Sequence, residues 1–588
     1  MKKISFFIVL TSVLLLSACS MDKYPEDKLS PETYFSSAQE LKLYTNYFYK
    51  LMPTGADLYE EEGDHFVAPV PSRQVQGTRL IPETDNKWNW EVLRKINFYL
   101  AHSSNCEDAD AREHYDGLAH FFRAYFYFDK VRNYGDVPWY SEVLNSDDKE
   151  LLTQPRDSRQ LVVDSILADL DFAIEHLSAT RTPYEVNKWT ALALKSRVCL
   201  FEGTFRKYHA GMTFNPDNLP WEELLEQAVE AAEILMNESG YALHTDDATD
   251  GEAYRTLFAS LNANPDEYIW SRCYSADLNI KNNANAWSVA RTTGFTKRFV
   301  NMYLMKDGSR FTEKDGYATM GYVEECKDRD PRMAQTIHTP GYIQYGATKT
   351  NPVDLKQTST GYKYIKYVMD SKYNTWDASL VCLPIFRYAE VLLNYAEAKA
   401  ELGTLTQGDL DKSINLLRKR VGMPDLCMAD ANAKPCAYME SLYPNITQSA
   451  NKGVIMEIRR ERLIETPLEG LHYWDIMRWR EGKAFTQPYL GIYFPTTGKY
   501  DLTGDGKANI VIMEEGQTGG GGIGVSKLYL GSDLILSNGV SGNMWAFSTL
   551  TFQFDENKDY LNPVPTNERV LSNGAVTQNP GWNDGLTF

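Results

Sequence analysis

Phe386-Arg387-Tyr388-Ala389-Glu390-Val391-Leu392-Leu393-Asn394-Tyr395-Ala396-Glu397-Ala398 is the stretch on which the fold turns. Its apolar residues recur at helical spacing, which predicts a helix over Phe386 to Leu402. Arg387, Glu390 and Glu397 also fall at helical spacings, as do Arg462 and Glu465 further on. They can pair across turns or between helices. The later segment carries Glu457, Glu461, Glu465 and Glu469 at i+4 steps, with Pro467 interrupting before the last. Such a stripe can be mistaken for paired catalytic carboxylates. Arg459, Arg460 and Arg462 are interleaved with it, which favours ion pairs that lock helix packing. Carboxylate acid–base chemistry needs two groups across a cleft, about 5–9.5 Å apart.

Outward from this stretch the same periodicity predicts further helices. Toward the N-terminus they cover Trp88 to Leu100, Glu113 to Tyr134, Ser158 to Leu177, Lys188 to Phe205 and Trp221 to Met236. Gly135-Asp136-Val137-Pro138 is a stop signal, and Pro220 suits a helix start. Toward the C-terminus, helices are expected at Leu410 to Val421 and Val454 to Ile464. Paired helices of this size resemble tetratricopeptide units. Trp189, Ala191, Ala193 and Leu200 fit that pattern, although no clean 34-residue period is present. Between about Ser239 and Pro384 the periodicity weakens, and Asn, Gly, Tyr and Trp dominate. Long loops with minor β-elements are expected there. Gly519 to Gly522 lacks the GxxxxGK[ST] spacing of a phosphate loop.

The N-terminus reads as an export signal. Lys2 and Lys3 precede an apolar run from Ile4 to Leu16, too short to span a bilayer, which takes about 20 residues, and of signal-peptide length. Leu16-Ser17-Ala18-Cys19 resembles a lipobox, so residues 1–18 are expected to be a lipoprotein signal peptide and Cys19 the lipidated anchor. Ser20, rather than Asp, favours the outer membrane. Residues 19–38 read as a flexible tether, and 39–588 as a single body: a helical scaffold to about 238, a loop-rich region over 239–384, and helices and loops over 385–588.

Lys and Arg number 60 against 79 Asp and Glu, a net charge of −19. That acidity argues against nucleic acid, which needs basic patches. No CxxC is present; Cys427 and Cys436 either close a loop or remain buried free thiols. The histidines form no HExxH or HxH, which argues against a structural zinc site.

Five blocks in order resemble the SusD/RagB family of Bacteroidetes outer-membrane lipoproteins. They are Leu29–Phe35; Phe122–Phe128 continuing through Val131–Pro138; Phe386–Ala398; Arg459–Arg462 with Glu465, Glu469-Gly470, Trp474-Asp475 and Arg478-Trp479; and Asn562–Pro565 with Gln578–Trp582. The resemblance implies a mostly α body, four tetratricopeptide-like units as scaffold and irregular loops as the ligand face. It implies cell-surface capture of a glycan and delivery to a SusC-like TonB-dependent transporter, without enzymatic activity. Two alternatives stand: the same fold carrying peptide or other non-glycan cargo, and a surface glycoside hydrolase, for which Asp277, Asp370 and Asp377 are available.

Family blocks mark scaffold, so candidate ligand residues are aromatics in irregular segments, whose flat rings suit sugar faces. Trp88 and Trp90 follow a loop. Tyr274 and Trp287 flank an Asn-rich stretch, and Tyr373 and Trp376 populate a later loop. Trp287 and Trp376 have little local core around them; ordinary packing is the competing reading for each ring. Asp501, Thr503, Asp505 and Asn509 space their oxygens like the start of a calcium loop, but Ile512 stands where the bidentate Glu belongs. An Asp-Gly turn explains the same residues.

Overall fold

The computed structural model describes residues 34–588 apart from 144–147, 149, 151–152, 216–218, 246–250 and 447–448. The expected signal peptide, Cys19 and most of the expected tether lie outside the described residues. The end of the expected tether belongs to the body. Phe35 is fully buried, 4.9 Å from the Tyr44 ring and 5.6 Å from that of Tyr99. Ser37 caps the helix Ala38–Thr45, and Glu40 closes the capping box. A buried ring and a cap therefore move the start of the body ahead of residue 39.

The periodic segments form α1 (Glu91–His102), α2 (Ala109–Tyr134), α3 (Arg159–His176), α4 (Lys188–Tyr208) and α5 (Glu222–Glu238). In α2 the Asp108 side chain accepts from the Ala111 N–H at the start, and Gly135 ends the helix at φ 72°. A residue with a Cβ is strained there. Between these signals Leu118, Phe121, Phe122, Phe126 and Val131 are buried, each contributing about 1.5–3 kcal/mol relative to exposure. Consecutive members from α2 to α5 pack on one another. The loop-rich region carries the short helix α6 (Ala284–Ala290). It is followed by α7 (Tyr388–Leu402), α8 (Ile414–Arg420), α9 (Lys452–Glu465) and α10 (His472–Arg478). α7 packs on α5 and α9. Among the described residues, no helix is long and apolar enough to cross a membrane.

Two helix starts differ from expectation. Trp88 closes a 3-10 turn, and α1 begins only at Glu91. Phe386 and Arg387 lie in a strand: β1 (Tyr268–Arg272) pairs antiparallel with β2 (Leu383–Arg387), Tyr268 opposite Arg387 and Arg272 opposite Leu383. Pro384 holds Leu383 extended, and pairing with β1 carries the strand to Arg387. The Leu410–Val421 segment also breaks, because Thr406 caps a short helix ending at Asp411 before α8 starts. Two further small sheets occupy the C-terminal part, Tyr489–Phe494 with Gly542–Ala546, and Gly498–Tyr500, Ile510–Met513 and Ser526–Tyr529.

The charged motif residues are buried and paired between elements. Arg387, at the end of β2, reaches Glu267 at 3.0 Å, Glu465 at 2.8 Å and Glu469 at 2.7 Å. Arg420 of α8 also pairs with Glu267 and Glu465. Arg332 joins Asp330, Glu461 and Glu465. Glu397 of α7 binds Arg462 and Arg478 at 2.8 Å and accepts from the Trp479 indole at 2.7 Å. The i+4 stripe is thus structural, and its partners come from other elements.

Removing one partner of such a group strands a buried charge, which costs about 3–5 kcal/mol. Arg387→Met is therefore expected to lower unfolding stability by that amount in a denaturant titration. Burial pushes the Glu397 carboxyl up, but Arg478 and Arg462 outweigh it and bring it down to about 2. Glu465 is likewise raised by burial and lowered further by Arg420 and Arg387. A depressed folded pKa stabilises above the unfolded carboxylate value of about 4.3 and is lost as pH falls through the folded value. Stability should therefore drop between about pH 4.5 and 2, and an acid titration of Glu397→Gln should show a shallower drop.

Candidate ligand-binding face

α6 exists because Asn282 anchors its start. The Asn282 Oδ1 accepts from Ala284 N–H at 3.0 Å, while its amide donates to the Val381 carbonyl at 3.0 Å. Ala284, Ala286 and Ser288 are buried. Trp287 is half-buried, and Arg291, extended just past the end of the helix, is exposed. The facing loop begins with Asp370, which caps the 3-10 turn Ser371–Tyr373. At Asp377 the backbone turns left-handed, φ 53°. There its N–H donates to Asn283 Oδ1 at 2.5 Å, and its carboxylate accepts from Asn283 Nδ2 at 3.2 Å.

Three ties hold the two loops together: the Asn283–Asp377 pair, reciprocal backbone bonds between Asn282 and Ser379 at 2.9 and 3.1 Å, and a disulfide between Cys273 and Cys382. They bring Trp287 and Trp376 edge to face, ring centroids 6.4 Å apart at 78°. The Arg291 guanidinium lies 5.4 Å from the Trp287 ring and 5.0 Å from that of Trp376, within cation–π range. Trp376 is 45% exposed. The Trp287 Nε1 is shielded and has no acceptor in reach.

Tyr59 and Glu60 reach this face from the N-terminal segment. The Tyr59 hydroxyl accepts from the Asn283 N–H at 3.3 Å. Burial pushes that hydroxyl up to about 12, so it stays protonated at neutral pH. Burial also raises the Glu60 carboxyl, and Arg291 offsets only part of this. The Tyr274 hydroxyl packs so closely on Gly55 that a Cβ there would lie 2.7 Å from it. Beside Trp287, Ser288 and Val289 help to line a cavity of about 170 Å³, with His338, Tyr342 and Lys363 opposite. The Lys363 ammonium donates to the carbonyls of Arg291 and Gln357, and burial brings it down to about 7.

Of the ligand residues expected from sequence, Trp287 and Trp376 meet. Tyr274 follows the disulfide, and Tyr373 sits in the turn just before Trp376. Trp88 and Trp90 belong to the scaffold. Trp88 is only 4% exposed, its ring 4.7 Å from Tyr134 and 5.6 Å from Trp90. Trp90 packs on Phe126 and Tyr140, because the turn before α1 folds against α2. Arg291 was missed, although its i+4 relation to Trp287 was a usable signal. Nothing local marks Tyr59 and Glu60.

Of the two readings open for Cys427 and Cys436, the free-thiol one holds, with Cys436 buried but Cys427 exposed. The bonded pair is Cys273–Cys382, which the β1–β2 register brings to a Cα separation of 4.5 Å. In the calcium-like loop, Asp501 Oδ1 accepts from the Thr503 and Gly504 N–H groups at 2.8 Å, and Oδ2 from Gly506 at 2.7 Å. Asn509 Oδ1 accepts from Leu502 at 2.6 Å. These oxygens serve a backbone turn, and a cation would have to displace several amide donors.

Short packed helices under long, cross-tied loops define a helical-scaffold body with an irregular loop face. The chain belongs to the SusD family, whose model matches residues 256–582. A second family model, described as starch-binding associating with outer membrane, matches residues 74–200. The chain is similar to SusD-like protein P38 of Formosa agariphila, 23% identical over 83% of this chain and 93% of that protein. Its fold is similar to that of a SusD-like protein from Bacteroides fragilis (TM-score 0.66, 22% identity, 95% of this chain and 100% of the other). It is also similar to that of a SusD-like carbohydrate binding protein from the same species (TM-score 0.67, 19% identity, 92% and 99%).

The disulfide closes a loop spanning 109 residues, worth about 2–5 kcal/mol of stability. The double variant Cys273→Ser, Cys382→Ser should lose that amount in guanidinium titration, whereas Cys427→Ser should stay within about 0.5 kcal/mol of the parent.

Proposed function

We propose that this chain is a lipid-anchored outer-membrane protein that captures a glycan on the Trp287–Trp376 face and delivers it to a SusC-like TonB-dependent transporter. The observation that carries this reading is the indole pair itself. Two flat apolar surfaces stand at an exposed edge, with a guanidinium across them. Glu60, Asn283 and Asp377 stand around them as hydroxyl partners, with Tyr59 buried behind Asn283. A pyranose presents C–H faces to indoles and hydroxyls to such polar rims. Family membership supports the same reading, as do the starch-binding description of the second family model and the carbohydrate-binding relative.

Binding is favoured over hydrolysis because two of the candidate acids are already engaged. Asp370 caps a turn, and Asp377 is tied to Asn283. A general acid–base pair needs carboxylates free to face each other across a scissile bond.

The test is calorimetric titration of the purified chain with a panel of neutral and charged oligosaccharides. One glycan class should bind saturably, and Trp287→Ala and Trp376→Ala should each weaken it at least tenfold, about 1.4 kcal/mol. Trp88→Ala should not alter the affinity of whatever protein folds. Full affinity in both loop variants would remove the site from the proposal, and release of reducing sugar would replace capture with hydrolysis.

A further inference from the structure

A second cluster of functional side chains lies inside the body and plays no part in the ligand face. Glu61, Asp64 and His65 sit in the segment leading into the short strand Phe66–Val67, and His472 opens α10. All four are buried, His65 and Asp64 completely. One donor atom from each of Asp64, His65 and His472 lies within 4.8 Å of the other two. The imidazole centroids are 4.4 Å apart. Glu61 Oε2 stands 3.7 Å from His65 Nε2, too far for a hydrogen bond.

Hydrogen bonding accounts for only part of this chemistry. His472 Nε2 meets Asp64 Oδ1 at 2.7 Å, and Glu61 accepts from the His472 backbone N–H at 2.6 Å. Four buried atoms have no partner: both ring nitrogens of His65, Nδ1 of His472 and Oε2 of Glu61. Unpartnered buried polar atoms are rare, and one recurrent cause is an ion that belongs among them. Here one donor atom each of Asp64, His65 and His472 draws together, with the Glu61 carboxylate beside His65, a set of imidazole and carboxylate only.

We propose that Asp64, His65 and His472, with Glu61 beside them, hold a structural zinc ion. The donor set is one that zinc takes in tetrahedral sites, with bonds of about 2.0–2.2 Å. Those bonds place ligand atoms about 3.3 Å from one another; His472 Nε2 and Asp64 Oδ1 already meet at 2.7 Å, so binding would exchange that hydrogen bond for two bonds to the ion and bring in a His65 nitrogen from within 4.8 Å. An outer shell is in place. The Tyr443 hydroxyl donates to Asp64 Oδ2 at 2.8 Å, and the Arg298 guanidinium stands 3.6 Å from the same oxygen. Such partners orient first-shell ligands. No HxH or HExxH spacing is needed, because the fold brings His472 to a segment some four hundred residues earlier. With so little of the site exposed, zinc would enter during folding and join the N-terminal segment to α10.

The test is to unfold the purified full chain in denaturant with chelator and refold it with zinc or with chelator alone. The expected result is one zinc per chain by elemental analysis, retained through dialysis, and a higher unfolding temperature for the zinc-refolded protein. His65→Gln and His472→Gln should each abolish retention. Cobalt(II) refolded into the parent should show the intense visible bands of a tetrahedral site, a readout that does not depend on the variants folding. A chain that refolds without metal to the same unfolding temperature, or gives no such cobalt spectrum, overturns the proposal. Zinc that survives both substitutions also overturns it.

Discussion

Glu465 and Arg387, with Glu267, Glu469, Arg420 and Arg332 around them, form the contact from which the rest of the architecture is laid out. All are buried. None can be solvated, so each must find its counter-charge in one arrangement of the chain. Glu267 stands just before β1, Arg387 ends β2, Arg420 comes from α8 and Glu465 from α9. Satisfying all of them fixes the relative positions of the loop-rich region and the C-terminal helices. Hydrophobic burial supplies most of the stabilising free energy but is not directional. The charge lattice adds direction, because a one-residue slip leaves an ion unpaired at a cost of several kcal/mol.

This constraint reaches the proposed ligand face through the β1–β2 ribbon. At one end of the ribbon, Glu267 meets Arg387. At the other, Cys273 is bonded to Cys382. Beyond the disulfide the two chains continue as the loops that carry Trp287 and Trp376. Loops long enough to be mobile are thus held at a base clamped twice. The Asn282–Ser379 and Asn283–Asp377 ties extend the clamp to the indoles. A rigid base under exposed rings lowers the ordering cost that flexible loops pay on binding.

Much of the scaffold was legible in the sequence because its signals are local. Apolar periodicity located α2 to α5, and the Arg and Glu spacing in Arg459–Glu465 identified a structural ion stripe. Misplaced features depend on distant partners. Arg387 has helical spacing relative to Glu390, yet pairing with β1 makes it a strand residue. Trp88 follows a polar loop, but α2 covers it. The disulfide partners lie far apart, and only the strand register shows that Cys273 meets Cys382. At the candidate site, Trp287 and Trp376 were readable as rings with little local core, whereas their meeting was not. Tyr59, Glu60 and the His65–His472 cluster are tertiary juxtapositions without a sequence pattern.

The measurement that bears most directly on this account is a side-chain oxidation footprint of the purified chain, with and without a saturating glycan selected from an array. If the clamped loops form the capture face, protection should concentrate at Trp287, Trp376 and Tyr274, with Trp88 and Trp90 unchanged. Protection elsewhere on the body, with both loop indoles as reactive as in the free protein, would contradict it.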